Sequence, residues 1–234
     1  MPNPRSEAEW IRSSSLFRSL SDDVLEKLAS VAIARRYPAR TVLYRRNDSG
    51  ESMMVVVSGR VVISSLSPEG NEVILNLINP GEVHGEIALL DGGPRTATAT
   101  ADLDTEALVL QRRDVKPMLE ESPGLAVQLL QVLCARIRET TAFVEDAVLM
   151  DVPRRFARRL DVLATRYGEP TDGGGQHIRH GLSQQELAEA TGITRVSVNK
   201  MLMSWQREGL LEHGRGYVTV HDWEALRTFV DGDA

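Results

Sequence analysis

The stretch LSQQELAEATGITRVSVNKML, residues 182–202, carries the local signals of two helices joined by a tight turn. Ser183 and Glu186 have the spacing of a capping box, in which each side chain accepts a hydrogen bond from the other residue's backbone N–H. Gly192 permits a backbone conformation that other residues adopt only with strain, and Thr194 is suited to cap a second helix. The stretch therefore predicts a helix-turn-helix.

Small and apolar residues within the same stretch support this prediction, because they recur at the spacing with which two crossing helices pack. They are Leu187, Ala188, Ile193, Val198 and Met201. Downstream, the turn Gly214-Arg215-Gly216 separates two short runs within residues 209–220, which predicts a hairpin wing. A plain helical hairpin with surface charges is the alternative interpretation of the whole segment.

The predicted second helix would present its first residues to the base edges of a DNA major groove. The candidate DNA-binding residues at this end are Thr194, Arg195, Val196, Ser197, Asn199 and Lys200. Arg195 can donate two parallel hydrogen bonds to guanine O6 and N7, whereas Lys200 can serve a base or a phosphate. Ser183, Gln184 and Arg215 are candidate phosphate contacts, with mere solvation as the alternative for each.

Upstream, residues 37–112 have the texture of an antiparallel β domain. Runs rich in β-branched residues occur at 53–57, 60–64, 72–78, 96–101 and 107–110, divided by glycine and proline turns. Strands that recur this closely predict a small antiparallel barrel or jelly roll. Residues 13–34 have near-helical apolar spacing behind Ser21, a suitable N-cap, and predict short helices.

Residues 124–150 predict one long helix, because neither proline nor glycine follows the first residue. The apolar residues alternate three and four positions apart, as in a dimer seam with one polar member. The seam residues are Val127, Leu130, Cys134, Ile137, Thr141, Val144 and Val148. We expect a homodimer, and a helix packed only on its own barrel is the alternative.

A break after this helix marks a predicted hinge. Asp151 is a plausible N-cap, and Pro153 is accepted in the first turn of a new helix that is predicted to reach Tyr167. Residues 168–176 are predicted to form a loop. The predicted domains are a β-barrel with N-terminal helices at 1–123, a dimerisation helix at 124–150 and a winged helix-turn-helix at 151–234. The fold class is α+β.

The composition excludes several classes of protein. The chain has 234 residues, 42% of them apolar, which is enough for two modest domains. Cys134 is the only cysteine, so no disulfide, cysteine-rich zinc site or four-cysteine cluster can form within one chain. No apolar run suits a membrane span or a signal peptide, so we expect a cytoplasmic protein without a membrane partner. With a net charge of −6, DNA contact must come from locally arranged cations.

Residues 81–97, GEVHGEIALLDGGPRTA, form the other segment that is dense in chemical groups. Gly85 allows close backbone approach, and Glu86 is a carboxylate that can accept from a ribose 2′-OH. Residues 87–90 can form a helical turn whose free N–H groups face an anion, with Arg95 as a cation beside them. These groups describe a phosphate and ribose site, although a Glu–Arg pair inside a barrel is also a common structural salt bridge.

The run GEIALLDGGPRTATA, residues 85–99, resembles the phosphate-binding cassette of cyclic-nucleotide-binding domains, and residues 54–63, MVVVSGRVVI, resemble the strand and glycine turn that precede it. With the predicted long helix and helix-turn-helix behind them, almost the whole chain resembles the CRP/FNR family of bacterial transcription regulators. The resemblance implies a regulator with cAMP, cGMP or both as allosteric ligand and no other cofactor. It also implies a homodimer on a near-palindromic operator in double-stranded DNA, with RNA polymerase as a further partner.

The resemblance assigns roles to individual residues. It implies that Glu86 binds the ribose hydroxyl and that Arg95 and Thr96 bind the cyclic phosphate. Thr140 and Thr141 match two adjacent hydroxyl residues that contact the base, one from each subunit. The full set of ligand-binding candidates is Gly85, Glu86, Ile87, Ala88, Arg95, Thr96, Thr140 and Thr141. For Thr141, the alternative is a buried polar group that only specifies helix register.

Two residues depart from the family pattern. His84 occupies a position that is more usually apolar, and Val196 stands where a well-known member has an acidic residue that reads a cytosine. Without a carboxylate, Val196 offers only apolar contact, for instance to a thymine methyl, so we expect a half-site shifted toward A·T at that base pair. Arg-Thr-Ala at 95–97 resembles the cGMP-binding form of the cassette, whereas Thr140 and Thr141 resemble the cAMP-binding pair.

A regulator of the same fold that responds to another signal is the main alternative. It could be independent of ligand, or it could sense a gas through haem, with His84 and Cys134 as candidate ligands. A barrel that regulates a kinase or channel is disfavoured, because the sequence contains no catalytic domain or membrane span. We predict no enzyme, no catalytic residue and no metal site, since no glycine-rich NTP loop, metal-ligand cluster or nucleophile motif is present.

Overall fold

The computed structural model describes residues 7–14, 16–17 and 19–231. Residues 1–6, part of the opening segment considered for a signal peptide, lie outside the described residues. Contacts between Cα atoms divide the chain into two compact units. The first contains the residues up to Gly70 and Leu75–Thr140, and the second contains Asn71–Ile74 and Thr141–Ala234.

The first unit opens with helices α1 (Glu7–Ser13) and α2 (Asp22–Val31). The strands that follow are β1 (Ile33–Tyr37), β2 (Val42–Tyr44), β3 (Ser52–Ser58), β4 (Val61–Leu66), β5 (Glu72–Ile78), β6 (Val83–His84), β7 (Thr98–Ala101) and β8 (Thr105–Gln111). Within the described residues they form two four-stranded sheets, ordered β1-β8-β3-β6 and β2-β7-β4-β5, whose strands pair antiparallel. This arrangement is a jelly roll, one of the two predicted forms, rather than a closed barrel.

Strand β3 explains why residues 53–57 form an unbroken apolar run. Met53, Val55 and Val57 pack in a buried cluster with residues of α2 and β8. Val56, on the opposite face, packs in a second cluster with residues of β4, β5 and β7. Because side chains alternate across a strand and both faces of β3 are buried, every position from Met53 to Val57 is apolar.

Strands β1 and β2 and helix α4 are among the elements that the sequence patterns do not predict. Strand β1 begins at Ile33, inside the segment with helical spacing, because α2 already ends at Val31. Strand β2, with only three residues, is too short for an alternating pattern. Helix α4 (Arg112–Glu121) follows β8 directly and contains Pro117, a residue that argues against a helix interior. The helix nevertheless buries Val115 in the apolar cluster that also contains residues of α2, β3 and β8.

Helix α5 (Pro123–Leu149) confirms the predicted long helix. Asp151 confirms the predicted N-cap of helix α6 (Val152–Tyr167), because its carboxylate accepts a 3.0 Å hydrogen bond from the Arg154 N–H. The side chains of the predicted seam on α5 are all exposed. They are Val127, Leu130, Cys134, Ile137, Thr141, Val144 and Val148.

The second unit confirms the predicted helix-turn-helix and wing. Its remaining elements are β9 (Gly168–Pro170), β10 (Gln176–Ile178), α7 (Gln184–Thr191), α8 (Arg195–Arg207), β11 (Leu211–Gly214), β12 (Tyr217–Val220) and α9 (Trp223–Asp231). Ser183 and Glu186 form both bonds of the capping box, and Gly192 has a φ of 68° between α7 and α8. Thr194 Oγ1 caps α8 by accepting from the Ser197 N–H at 3.1 Å.

The prediction of a plain loop at residues 168–176 is wrong. β9 and β10 pair antiparallel there and join the wing in a sheet ordered β11-β12-β10-β9. Backbone hydrogen bonds of 3.0 Å, from the Thr171 N–H to Gly175 O and from the Gly174 N–H to Thr171 O, close the turn. The glycines that indicate a loop therefore supply the turn of a hairpin.

Candidate functional site

A cavity of about 310 Å³ in the first unit is lined by residues of the jelly roll, of α5 and of helix α3 (Glu86–Asp91). The lining residues are Tyr44, Ile63, Leu75, Asn76, His84, Gly85, Glu86, Ile87, Ala88, Arg95, Thr96, Ala97, Arg136, Glu139 and Thr140. Seven of the eight predicted ligand-binding residues are in this lining. Thr141, the eighth, is exposed in the stripe of seam residues.

Arg95 is buried, and three groups of the jelly roll hold its guanidinium. One Nη atom donates to the Gly85 carbonyl oxygen at 3.0 Å, and the other donates to Ser52 Oγ at 3.1 Å. The guanidinium carbon lies 4.1 Å from the centroid of the Tyr44 ring, a cation–π contact. Burial lowers the pKa of Arg95, so a bound anion would offset the cost of burying its charge.

Gly85 brings the start of α3 against this guanidinium. Its φ is +82°, and a Cβ at this position would collide with an Arg95 Nη atom and come within 3.0 Å of the Ser52 carbonyl oxygen. The close approach expected at Gly85 is therefore an approach to the arginine. Because α3 begins at the next residue, the N–H groups of Ile87 and Ala88 lie in its first turn, where a helix provides no internal acceptor.

Glu86 is buried beside Arg136, a residue of α5 that the sequence patterns do not single out. Arg136 Nε lies 3.7 Å from Glu86 Oε1, and Arg136 Nη2 donates to the Val83 carbonyl oxygen at 3.0 Å. Burial raises the pKa of Glu86, and the charge of Arg136 opposes the rise. Glu86 thus pairs with Arg136, not with Arg95 as the salt-bridge alternative supposes. Arg136 lies one helical turn before Thr140, which is the sequence signal that points to it.

Glu139 extends this polar wall from α5 to β5. Arg136 Nη1 donates to Glu139 Oε2 at 3.2 Å, and Asn76 Nδ2 donates to the same oxygen at 2.7 Å. Glu139 and Asn76 both line the cavity, although neither residue belongs to the phosphate-binding cassette. A ligand in the cavity therefore meets charged groups of both signs.

Tyr44, which is half-buried, and His84, which is buried, form a second pair that sequence reasoning does not foresee. The Tyr44 hydroxyl lies 2.9 Å from His84 Nδ1, and the ring centroids are 5.6 Å apart. Burial lowers the pKa of His84 to about 3, reinforced by the charges of Arg95 and Arg136, and burial raises the pKa of Tyr44. Both groups are thus neutral at pH 7. Among the described residues, His84 Nε2 is buried without a hydrogen-bond partner.

In the second unit, the first turns of α8 face outward. Exposed side chains there are Thr194, Arg195, Val196, Asn199 and Lys200. Ser197, half-buried, hydrogen-bonds through its hydroxyl to Thr194 Oγ1 at 2.9 Å, so these two hydroxyls already serve the helix cap. A groove of about 540 Å³ has Ser183, Gln184, Arg195 and Arg215 in its lining, which joins α7, α8 and the wing in one concave surface.

Comparisons with known proteins match the two segments that contain these features. Residues 34–122 match the family described as cyclic nucleotide-binding domain, and residues 154–229 match the Crp-like helix-turn-helix domain. A cyclic AMP receptor protein of Thermus thermophilus is 31% identical over 222 residues, which are 95% of this chain and 99% of that protein. This chain belongs to the CRP/FNR family of transcription regulators.

A second relative of this CRP/FNR regulator is the CRP-like cAMP-activated global transcriptional regulator of Mycobacterium tuberculosis. It is 29% identical over 218 residues, 93% of this chain and 97% of that protein. The matched families and these relatives are transcription regulators, not enzymes. The chain is therefore a DNA-binding transcription regulator with a cyclic-nucleotide-binding domain.

Solved structures share the fold of this CRP/FNR regulator. A CooA mutant from Carboxydothermus hydrogenoformans has a TM-score of 0.78 at 23% identity, covering 97% of each chain. FixK2 from Bradyrhizobium japonicum has a TM-score of 0.75 at 20% identity, covering 85% of this chain and 97% of its own. At such identities the likeness supports the fold alone.

The candidate haem ligands of this CRP/FNR regulator have different surroundings. Cys134 is exposed on α5, whereas His84 is buried and bonded to Tyr44. Within residues 7–14, 16–17 and 19–231, no group of three or more His, Cys, Asp or Glu side chains could hold a metal ion. None of the helices in those same ranges is both long and apolar enough to cross a membrane.

Proposed function

We propose that this CRP/FNR regulator binds a cyclic nucleotide in the cavity of the first unit and, as a homodimer, binds DNA through α8. The observation that carries the ligand half is that Glu86 and Arg95 line one cavity of about 310 Å³ inside the segment that matches the cyclic-nucleotide-binding family. A buried arginine with its fork held in place suits a phosphate, and a buried carboxylate suits a ribose hydroxyl.

The ligand would lie with its cyclic phosphate at Arg95, Thr96 and the first N–H groups of α3. Ile87 and Ala88 supply these N–H groups, and Gly85 permits the close approach of the segment. Glu86 would accept from the ribose 2′-OH. Thr140 would contact the base, together with Thr141 of the partner subunit.

The homodimer would form along the exposed stripe of α5. Ile137 is 65% exposed and Val148 is 74% exposed, and apolar side chains repeated at heptad spacing bury themselves when two such helices pair. This proposal keeps the division into a ligand domain at 1–123, a dimerisation helix at 124–150 and a DNA-binding domain at 151–234.

The DNA half would use Arg195 for base contact and Lys200, Ser183, Gln184 and Arg215 for positioning. Val196, Ser197, Thr194 and Asn199 complete the contacting end of α8. A two-fold dimer predicts a near-palindromic operator, and RNA polymerase in the cytoplasm would be the further partner. Ligand would change DNA affinity only to the extent that it binds one dimer arrangement more tightly than another.

The names of the relatives favour cAMP, and Thr140 with Thr141 resembles the cAMP-binding pair. The Arg-Thr-Ala sequence at 95–97 favours testing cGMP as well. Calorimetric titration of the wild type with each nucleotide distinguishes them. Arg95→Ala should weaken the binding of the accepted nucleotide by at least about tenfold, whereas the control Arg113→Ala, which removes an exposed arginine of α4, should not.

The coupling to DNA needs a second measurement. A near-palindromic site is selected from random DNA, and its affinity is measured at fixed salt with and without each nucleotide, since salt alone changes such affinities. We expect affinity to rise with one nucleotide in the wild type and not in Arg95→Ala. Binding of neither nucleotide would disprove the ligand half, and unchanged DNA affinity would disprove the coupling.

A further inference from the structure

Tyr44 and His84 have no role in the proposed ligand contacts, yet they lie beside the cation that the proposed function assigns to the phosphate. We propose that Tyr44 and His84 position the Arg95 guanidinium, and so decide which of the two exocyclic phosphate oxygens the arginine meets. The inference rests on the proposed cyclic-nucleotide site and adds two positioning residues to it.

The orientation of Arg95 depends on its third contact. A guanidinium is a planar fork with five N–H groups, so its tilt decides where the groups left for a ligand point. Gly85 O and Ser52 Oγ each take one hydrogen bond from a different Nη atom, which fixes two points of the fork. The Tyr44 ring, 4.1 Å from the guanidinium carbon, covers one face and sets the remaining tilt.

The backbone alone holds Tyr44 weakly. Strand β2 has three residues, and its pairing with β7 has a register irregularity between Val42 and Tyr44. The ring packs against apolar residues of the jelly roll, and its hydroxyl, 2.9 Å from His84 Nδ1, is its polar anchor. His84 pairs with Met54 of β3 and directly precedes Gly85, so one short segment holds both Tyr44 and the fork of Arg95.

A hydrogen bond that only stabilises the jelly roll is the competing explanation. Two observations favour positioning. Both residues line the cavity, and within the described residues His84 Nε2 is buried without a partner, a cost that an apolar residue filling the same space would avoid. The low pKa of His84 keeps the imidazole neutral, so the pair supports Arg95 without adding a positive charge beside it.

The Sp and Rp phosphorothioates of cAMP and of cGMP test the proposal, because sulfur replaces one or the other exocyclic oxygen. For the wild type, the affinity of the tighter-binding diastereomer divided by that of the weaker one gives a ratio, and the identity of the tighter one reports which oxygen Arg95 meets. Tyr44→Leu should weaken binding of the parent nucleotide about tenfold and move the ratio toward one. Tyr44→Phe and His84→Leu both keep an aromatic ring at position 44 but remove the hydrogen bond between residues 44 and 84. Each should lower the ratio of the two affinities about threefold.

Tyr37→Phe is the matched control. It removes a phenol from the same jelly roll, where the Tyr37 hydroxyl donates to the Met54 sulfur at 3.9 Å, and it should change neither affinity nor ratio. Thermal unfolding checks that each variant is folded, and Tyr44→Phe is the most conservative of them. Equal weakening of both diastereomers with an unchanged ratio would overturn the inference, as would a wild-type ratio of one. If the wild type binds neither parent nucleotide, the proposed function itself fails.

Discussion

Arg136 Nε lies 3.7 Å from Glu86 Oε1, so a residue of α5 is paired with the first residue of α3. The same arginine also donates to the Val83 carbonyl oxygen and to Glu139. Three segments of the first unit thus meet at one guanidinium. Because Glu86 is buried, its charged carboxylate is destabilised, and the positive charge of Arg136 offsets part of that cost.

Arg136→Ala should therefore lower the free energy of unfolding by about 1–3 kcal/mol at neutral pH. The pKa of Glu86 is raised in the folded protein, so the folded state holds its proton to higher pH and stability falls as pH rises above the unfolded value. Without Arg136 this decrease in stability with rising pH should be larger. Urea unfolding at about pH 5 and pH 7 measures the free energy of unfolding at both ends of the decrease.

Arg138→Ala is the control for this loss, because Arg138 is exposed on the same helix. The pH-dependent part of the stability loss caused by Arg136→Ala should disappear when the change is combined with Glu86→Gln, because glutamine does not ionise. An equal loss at both pH values, with or without Glu86→Gln, would contradict the assigned pairing.

How far the sequence predicts the fold depends on whether a signal is local. The capping box at Ser183, the glycine turn at Gly192 and the N-cap Asp151 act within a few residues, and all three are confirmed. Strand β1 is different, because it lies at a sheet edge with an almost wholly exposed pattern and is ordered by its pairing with β8. No alternation marks such a strand.

The cavity shows the same limit. The cassette residues Gly85, Glu86 and Arg95 are close in sequence, so their common site can be foreseen from their spacing. Arg136 and Tyr44 reach the cavity from distant elements, and only the packing of α5 and β2 brings them there. Pairings of this kind depend on tertiary contacts that periodicity does not report.

His84 should make the protein sensitive to acid. Its pKa falls to about 3 in the folded protein, below the usual value of 6.5, so the unfolded chain binds the proton first and stability falls as pH drops through this window. The wild type should lose about 1.4 kcal/mol per pH unit below about pH 6.5 relative to His84→Phe. The exposed His221 provides a control, since His221→Gln should keep the wild-type slope. Parallel slopes for wild type and His84→Phe would contradict the buried neutral imidazole.

Ile137→Asp should dissociate the proposed dimer. Ile137 is in the middle of the exposed apolar stripe of α5, and a carboxylate there would be buried without a partner when two helices pair. We expect the dimer dissociation constant to rise at least about 100-fold, as measured by sedimentation equilibrium. Ala135→Asp adds the same charge at an exposed position outside the stripe and should leave the dimer intact. Equal effects of the two changes would argue for a different dimer surface.

Val196 should decide one base pair of each half-site. Its side chain is 78% exposed in the first turn of α8, where it can contact a thymine methyl but cannot accept a hydrogen bond from cytosine N4. Val196→Glu restores an acceptor, so the preference at that base pair should shift toward C·G by about 1–3 kcal/mol. Selection from random DNA with both proteins, at one salt concentration, measures the shift. Met203→Glu adds the same charge later on α8 and should weaken binding without changing the preferred base, because general repulsion of phosphates is independent of sequence. If Val196→Glu selects the same half-site as the wild type at every position, Val196 does not contact that base pair.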